Sequence, residues 1–237
     1  MGTGETGQRL ICRETGERQE NRVREAVSLV GMVLKSTPVG EYDRRLVILT
    51  RERGKITAFA RGAKKPGSRL MAVGRPFVFG RFKLYEGRDA YSLASAEVKS
   101  YFTELAEDVE AACYGSYFLE LADYYSRENM EGEELLLLLY QSVRALLKPA
   151  LPDSLVQLVF ELRAMAAGGE YTPGPPKAVS DSAAYAWEFI ISSPLETLYT
   201  FVLKEPVQRE LKECVEMNKR RFLDREFRSL EILRQMQ

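Results

Sequence analysis

The sequence predicts an α+β protein in which an N-terminal five-stranded OB-type β-barrel is followed by an all-α helical domain. Within residues 26–100, short alternating apolar segments are separated by turns rich in glycine and proline, the pattern of a small closed barrel. From Tyr101 onward, apolar residues recur three and four positions apart, which is typical of helices. The expected domains are therefore 26–100 and 101–237.

Five segments of alternating residues define the expected strands. They are 27–36, 43–51, 55–61, 76–85 and 90–98. The Arg53-Gly54 pair is typical of a tight hairpin turn between the second and third strands. A bulge at Gly80 would divide the fourth strand into two faces. These faces are Phe77, Phe79 and Arg81 on one side and Val78, Phe82 and Leu84 on the other.

Capping residues and breakers divide the second part into six or seven helices. The mostly apolar stripe from Leu105 to Tyr124 predicts one long first helix. Glycine, proline and capping side chains mark the later boundaries. They give helices over 133–147 and over 154–167 before Gly168-Gly169, a helix capped by Asp181 or Ser182, a capping box at Ser193–Glu196, and a helix over 207–236 broken near Leu223-Asp224.

Composition limits where this protein is expected to work. Residues 1–25 are polar, rich in glycine and without an apolar centre, so we expect an unpacked leader or a non-native start rather than a secretory signal. The three cysteines are about a hundred positions apart, which fits neither a disulfide framework nor paired metal ligands. No segment approaches the roughly 18 apolar residues of a membrane span. We expect a reducing cytoplasm and no membrane partner.

Charge is distributed unevenly along a chain whose formal net charge is zero. Residues 35–88 hold fourteen Lys or Arg against four acids, a net charge of +10, which leaves −10 on the remainder. Such asymmetry predicts a polyanion site on the basic part. Residues 62–70 combine glycine, proline and three basic residues and predict a mobile basic loop. The candidate DNA-binding residues are Lys35, Arg44, Arg45, Arg61, Lys64, Lys65, Arg69, Arg75, Arg81 and Lys83.

Two further groups have alternative interpretations. Aromatic side chains among the basic residues either stack on unpaired bases or fill the barrel. They are Phe59, Phe77, Phe79, Phe82 and Tyr85. A smaller basic cluster near the end is either a second DNA contact or a set of charges that complements a helix dipole. It comprises Lys219, Arg220, Arg221 and Arg225.

Most catalytic designs are excluded. The chain has no histidine, so triads and general bases built on histidine cannot occur. Gly62 to Gly67 is followed by Ser68-Arg69, which lacks the lysine and hydroxyl neighbour of a phosphate-binding loop. The acidic pairs, such as Glu133-Glu134, fall on expected helix surfaces. We therefore expect neither an enzyme nor a cofactor.

Several segments, taken in order, resemble the bacterial RecO family. They are Gly31–Lys35, Gly40–Asp43, Leu46–Thr50, Gly54-Lys55 and Ala60–Ser68, then more loosely Phe160–Arg163, Gly169–Pro173 and Arg225–Leu230. The resemblance covers about residues 26–237. It implies a recombination mediator that binds single- and double-stranded DNA and anneals complementary strands. It also implies that the protein is not an enzyme with catalytic turnover. The implied partners are RecR, the C-terminal tail of single-strand-binding protein and, indirectly, RecA, in a cytoplasm where the protein joins the nucleoid during repair.

One segment departs from the family pattern. Many relatives carry two C-x-x-C pairs after the segment that corresponds to Gly169–Pro173, a spacing that suits structural zinc. Here residues 175–187 contain neither cysteine nor histidine. We therefore predict no zinc and a shorter or differently packed connection.

Two other functions are alternatives to DNA binding. The helical domain could serve a protein-interaction adaptor that recruits repair partners, with only weak direct DNA binding by the barrel. An enzyme acting on nucleic acid is the third hypothesis, and it lacks an acid, a base and metal ligands in the sequence. Salt dependence of DNA affinity would separate the first two, and metal-dependent cleavage would support the third.

Overall fold

Five strands close a barrel at the start of the part that the structure describes. The computed structural model describes residues 25–236, so the expected leader lies outside the described residues except for Glu25. The strands are β1 (Ala26–Val39), β2 (Asp43–Thr50), β3 (Gly54–Ala60), β4 (Phe79–Glu86) and β5 (Tyr91–Ser100). Their order is β1-β2-β3-β5-β4, and only β3 and β5 pair in parallel. The predicted five-stranded barrel is confirmed.

β1 is longer than predicted. It continues through Pro38 to Val39, where we expected a loop after residue 36. β4 pairs with β1 only from Ala26 to Met32, so the second half of β1 has β2 as its ladder partner. A proline is tolerated there because the strand edge away from β2 needs no N–H donor.

The segment between β3 and β4 also differs from prediction. Within the expected basic loop a short helix, α1 (Leu70–Val73), forms after a series of turns. β4 begins at Phe79 rather than at residue 76, because Phe77 adopts a left-handed conformation with φ of 69°. That conformation turns the chain before the ladder starts.

The predicted bulge at Gly80 is confirmed, because the register between β4 and β5 shifts between Phe79 and Gly80. The predicted division of the aromatic residues between two faces is also seen: Val78 and Phe82 lie in the barrel core, whereas Phe77 and Phe79 pack against the helical core. These three phenylalanines therefore fill the protein's cores, which is the packing alternative given above for the aromatic residues.

Six helices follow the barrel within the described residues. They are α2 (Val109–Tyr125), α3 (Glu133–Leu146), α4 (Asp153–Ala167), α5 (Asp181–Ser192), α6 (Glu205–Phe222) and α7 (Arg228–Met236), with 3-10 turns at Thr103–Glu107 and Leu195–Thr197. The predicted break between the last two helices is confirmed. So is the glycine end of α4, where Gly169 has φ of 75° and the Glu170 N–H donates to the Met165 carbonyl. None of the helices in residues 25–236 combines the length and apolarity needed to cross a bilayer.

Two capping predictions were wrong. Ser180 caps α5, because its Oγ accepts a hydrogen bond from the Ala183 N–H at 3.3 Å, and Asp181 is already the first helical residue. The expected capping box gives only the three-residue turn Leu195–Thr197, without a side-chain cap. Ser193 is instead the C-cap of α5, where its N–H donates to the Phe189 carbonyl, and Pro194 directly precedes the turn.

The barrel and the helices meet at a junction that we define as residues 51–55 and 126–132. The second stretch, the turn between α2 and α3, lies against the β2–β3 hairpin. Three main-chain bonds join them, from the N–H groups of Lys55, Asn129 and Gly132 to the carbonyls of Arg127, Arg53 and Arg51, at 2.9, 3.1 and 3.0 Å. A Cβ on Gly54 would lie 2.2 Å from the Arg127 carbonyl oxygen, so only glycine fits.

The connection before α5 is held against α6 by side chains. Ser180 donates from its N–H and its Oγ to Glu210, both at 2.8 Å, and the backbone bond lowers the pKa of that carboxyl. Lys177 pairs with Glu213. In the described part of the chain, no group of three or more His, Cys, Asp or Glu is arranged to hold a metal ion.

Candidate nucleic-acid interface

Three basic residues of the barrel are engaged by carboxylates at or beside the junction. Arg51 pairs with Glu52 at 3.0 Å, and Arg53 pairs with Glu86 at 3.2 Å. Lys55 reaches across to α2, where its Nζ donates to the Asp123 carbonyl at 2.7 Å and to the Asp123 carboxylate at 3.1 Å. Lys55 thus links the barrel to α2, and a neighbouring carboxylate offsets the charge of all three cations.

Nine of the ten predicted DNA-binding residues, by contrast, are not engaged by carboxylates. Each is exposed, and none forms an ion pair with any residue between 25 and 236. They are Lys35, Arg45, Arg61, Lys64, Lys65, Arg69, Arg75, Arg81 and Lys83. The tenth, Arg44, is half-buried and donates to the Ser36 hydroxyl at 3.0 Å, so it packs inside one end of the barrel.

The ladder places Arg45 on the outer face of β1, β2 and β3. Arg45 lies opposite Thr37 on one side and Phe59 on the other. The neighbouring residues on each strand, Leu46 and Ala58, point into the barrel core. Because side chains alternate along a strand, Arg45 and Phe59 must project outward together.

A turn and a loop extend this face at one end of the barrel. The Lys64 N–H donates to the Tyr42 carbonyl at 2.8 Å, and the Gly62 N–H donates to Asp43 Oδ1 at 2.8 Å. Lys65 Nζ lies 5.3 Å from the centre of the Tyr42 ring. We call the resulting cluster the barrel tip. It comprises Tyr42, Arg45, Phe59, Arg61, Lys64 and Lys65.

Tyr42 is the member of this cluster that sequence reasoning missed. Its side chain is 42% exposed although it is aromatic. A hydrogen bond with Glu41 raises the pKa of its phenol, so the ring stays neutral. The signal that could have found it was an aromatic residue in the Gly40–Asp43 turn, directly before the strand that carries Arg45.

Arg81 and Lys83 do not belong to the barrel tip. Both project from β4, opposite Val30 and Ser28 of β1. Lys35 lies five residues further along β1 than Val30, which corresponds to about 16 Å of strand. The single basic face that the sequence predicted is therefore divided by the closure of the barrel.

Acidic groups border the other end of the β1–β2–β3 face. A cleft of about 230 Å³ there is lined by Lys35, Arg45 and Lys55 together with Asp123 and Glu128. A polyanion would therefore be attracted more strongly at the barrel tip than near the junction, where acids offset the positive charge. The charge of this face therefore changes along the strands: it is positive at the barrel tip and is offset by acidic residues next to the helices.

The C-terminal basic cluster is not one surface. Lys219 is buried, with ion pairs to Glu161 at 2.7 Å and to Glu216 at 2.8 Å, so it cannot contact DNA. Burial alone would lower the pKa of Lys219, but Glu161 opposes that effect and the net pKa is raised. Arg220 and Arg221 are exposed in the last turn of α6, the position where cations complement a helix dipole.

Arg225 lies away from that turn. It lines a second cleft, of about 390 Å³, with Lys35 of the barrel and with Arg228 at the start of α7. Glu120, Asp123 and Glu226 line the same cleft, so its charge is mixed.

An apolar groove lies between α5 and the start of α6. Its volume is about 560 Å³, and Phe189 and Phe201 meet edge to face within it at 5.2 Å. Tyr185 and Val202 on its lining are 71% and 65% exposed. Lys204 contributes a cation to the same lining.

A closed five-stranded barrel with exposed cations that no carboxylate neutralises is typical of oligonucleotide-binding proteins. Residues 26–102 match the family model described as "Recombination protein O N terminal", and residues 106–174 match "Recombination protein O C terminal". The chain belongs to the RecO family of DNA repair proteins.

Curated relatives agree with this assignment. The chain is 34% identical over 164 residues to DNA repair protein RecO of Alkaliphilus metalliredigens, covering 67% of this chain and 65% of the relative. It is 25% identical over 238 residues to the RecO of Acetivibrio thermocellus, covering 86% and 94%. The RecO of Heliobacterium modesticaldum is 36% identical over 162 residues, covering 65% and 58%. The matches thus span 65% of the length of the first relative and 58% of that of the third.

Proposed function

We propose that this protein is a DNA-binding recombination mediator. It binds single- and double-stranded DNA through the barrel tip, anneals complementary strands and, with RecR, helps to load RecA on DNA coated by single-strand-binding protein. The observation that carries the proposal is the set of exposed tip cations, none of which has a carboxylate partner in the described chain. Membership of a DNA repair family supports it.

Unpaired cations are what a phosphate backbone requires. Each phosphate that a Lys or Arg neutralises releases condensed counterion, which favours binding without regard to base sequence. Cations already paired with carboxylates release little, because the phosphate must displace the carboxylate first. The four tip cations, Arg45, Arg61, Lys64 and Lys65, would together contribute about 3 to the log–log salt slope on single strands.

The same charges account for annealing without turnover. Two complementary strands repel each other through their phosphates, and neutralising part of that charge lets them approach. The chain contains no histidine, and its acidic pairs lie on helix surfaces, so the proposed role is one of binding rather than bond breaking.

Fluorescence anisotropy with labelled single-stranded DNA at several salt concentrations tests the barrel tip. A variant with Arg45, Arg61, Lys64 and Lys65 changed to Ala should lose affinity and salt slope together. The control changes Arg81, Lys83, Arg220 and Arg221 to Ala, which removes the same charge elsewhere. Equal losses in both variants would show that binding follows net charge alone and would reject the tip as the site.

A strand-pairing assay tests the mediator role. Complementary labelled strands coated with single-strand-binding protein should pair faster when the intact protein is added, and the tip variant should lose that acceleration. Binding of DNA without any acceleration would limit the function to DNA binding.

A second candidate function is a protein-interaction adaptor that binds DNA only weakly. The observation in its favour is the apolar groove between α5 and α6, where Tyr185 and Val202 remain 71% and 65% exposed although the Tyr185 ring lies 6.5 Å from that of Phe189. The occupant we propose is the acidic, apolar tail of single-strand-binding protein, with its apolar side chains against Phe189 and its acids near Lys204.

A labelled peptide of that tail tests the groove. Changing Tyr185 to Ala and Val202 to Ser should weaken its binding at least tenfold, without changing affinity for DNA. Val109, which is 67% exposed at the start of α2, provides the control when changed to Ser. Equal peptide binding by the groove variant and the control would reject this groove.

A further inference from the structure

We propose that Tyr42 is a base-stacking residue through which the barrel tip prefers single-stranded to double-stranded DNA. This inference rests on the proposed DNA-binding function and adds to it the part of the nucleotide that is recognised. The phosphate contacts of the tip cations do not distinguish the two forms of DNA, because both carry phosphates. A ring that meets a base face can tell the two forms apart.

Hydrogen bonds hold the backbone of Tyr42 in place although its ring is exposed. Its carbonyl accepts the Lys64 N–H at 2.8 Å, and the next residue, Asp43, accepts the Gly62 N–H at 2.8 Å. The turn that carries the ring and the loop that carries the cations are therefore one unit. The backbone that carries the ring is therefore ordered before a ligand arrives, and only rotation of the side chain is lost on binding.

The other aromatic residues of this region differ from Tyr42 in burial. Phe82 is fully buried in the barrel, and Phe77 and Phe79 pack against the helical core. Phe59 is half-buried on the outer face, directly opposite Arg45. Tyr42 and Phe59 are thus the two rings that the fold leaves beside the tip cations.

The ring and a cation are arranged to receive parts of one nucleotide. Lys65 Nζ lies 5.3 Å from the centre of the Tyr42 ring, within cation–π range. A base stacked on the ring would bring its own phosphate close to the loop that carries Lys64 and Lys65. Every base has a π face, so this contact needs no particular sequence.

Duplex DNA cannot use the ring in this way, because each of its bases already stacks on its neighbours. It would keep only the phosphate contacts of the tip cations. Loss of the Tyr42 ring should therefore affect single strands selectively, whereas loss of a cation should affect both forms.

Anisotropy titrations of matched single-stranded and duplex oligonucleotides at one salt concentration test this. Tyr42→Leu should lower single-strand affinity at least fivefold, leave duplex affinity within twofold and keep the salt slope unchanged. Tyr42→Phe should retain single-strand affinity, because the ring remains. Tyr101→Leu, which removes an exposed ring directly after β5, is the control and should change neither affinity. Equal losses for both forms of DNA after Tyr42→Leu would mean that the ring only holds the loop, and would overturn the proposal.

A fluorescent variant gives an independent measurement. Trp187 is the single tryptophan of the chain and is 1% exposed, so the emission of Tyr42→Trp above that of the unmodified protein reports the tip. A single strand of normal bases should quench this emission, and an abasic strand of equal length should not. Equal quenching by both strands would exclude stacking.

The two proposals fail in different ways. If the unmodified protein binds neither form of DNA, the proposed function itself is wrong. If it binds both with a steep salt dependence and Tyr42→Leu behaves like the unmodified protein, only the stacking role is wrong.

Discussion

The barrel tip and the junction are built from similar sequence but have opposite electrostatics. The segment 51–55 places three cations within five residues, and so does the segment 61–65. The first three are paired with Glu52, Glu86 and Asp123, and the second three have no carboxylate partner within residues 25–236. What separates a structural cation from a candidate DNA contact is therefore the surroundings that the fold supplies, and charge density along the chain cannot show it.

The backbones of the junction and the barrel tip also differ, in how closely other atoms pack against them. At the junction, Gly54 has φ of 61° and lies against two carbonyl oxygens of the α2–α3 turn. In the turn at the tip, Gly40 has φ of 56° and no atom within 4 Å of the place where a Cβ would be. The junction is specified by close packing, and the tip is left open.

Gly54→Ala should have the largest effect. Its Cβ would lie 2.2 and 2.4 Å from the carbonyl oxygens of Arg127 and Met130, so the α2–α3 turn must move away from the barrel. We expect the free energy of unfolding to fall by about 4 kcal/mol, as measured by urea denaturation. Gly40→Ala is the matched control, since it has only the cost of the left-handed backbone, about 1 kcal/mol. Similar losses in both would mean that the junction is not closely packed.

Lys219→Ala should have the next largest effect. Together with Arg220, it compares a buried, paired cation with an exposed one within a single helix. Lys219 is buried against Glu161, which also accepts the Tyr117 hydroxyl at 2.8 Å, whereas its neighbour Arg220 is exposed. Removing the ammonium leaves a buried carboxylate without its counterion and should cost about 3 kcal/mol in urea denaturation. Arg220→Ala should change stability by less than about 0.5 kcal/mol.

The pH dependence follows from the raised pKa of Lys219. A lysine whose pKa is higher in the folded protein contributes stability that is complete below its ordinary pKa of 10.5 and is lost as the pH rises beyond it. The difference in stability between the unmodified protein and Lys219→Ala should therefore persist at neutral pH and shrink only in strong alkali. A difference that disappears near pH 7 would contradict the buried ion pair.

Local sequence signals predicted the elements, and the fold decided the pairings. Alternation and turn residues were enough for all five strands, because each signal lies within a few residues of the element it marks. Lys219 was grouped with Arg220 because its partner, Glu161, is 58 residues away in the sequence. Arg81 was grouped with Arg61 because only the closure of the barrel shows that β4 faces another direction. Tyr42 was missed because a turn has no period from which its exposure could be read.

Single substitutions in the segments 51–55 and 61–65 should have different effects on DNA affinity. Arg61→Ala at the tip should lower single-strand affinity about threefold to fivefold and reduce the log–log salt slope by about 0.7. Arg51→Ala at the junction removes a cation that Glu52 already neutralises, so affinity should stay within twofold. Anisotropy titrations at several salt concentrations provide both numbers. An equal effect of the two substitutions would show that pairing with carboxylates does not protect a cation from DNA.

Asp123→Asn should have the smallest effect and the opposite sign. It replaces the carboxylate that holds Lys55 by a neutral amide, whose oxygen can still accept a hydrogen bond from the Lys55 ammonium but does not neutralise its charge. The ion pair is partly exposed, so stability should fall by less than about 1 kcal/mol. Lys55 lines the cleft that also contains Lys35 and Arg45, so single-strand affinity should rise about twofold to threefold with a steeper salt slope. Glu134→Gln is the control, because it removes a carboxylate that pairs with Arg163 within the helical part. A gain in affinity that is equal in both variants would reflect net charge alone. A gain confined to Asp123→Asn would show that one carboxylate is enough to keep a cation such as Lys55 from binding DNA.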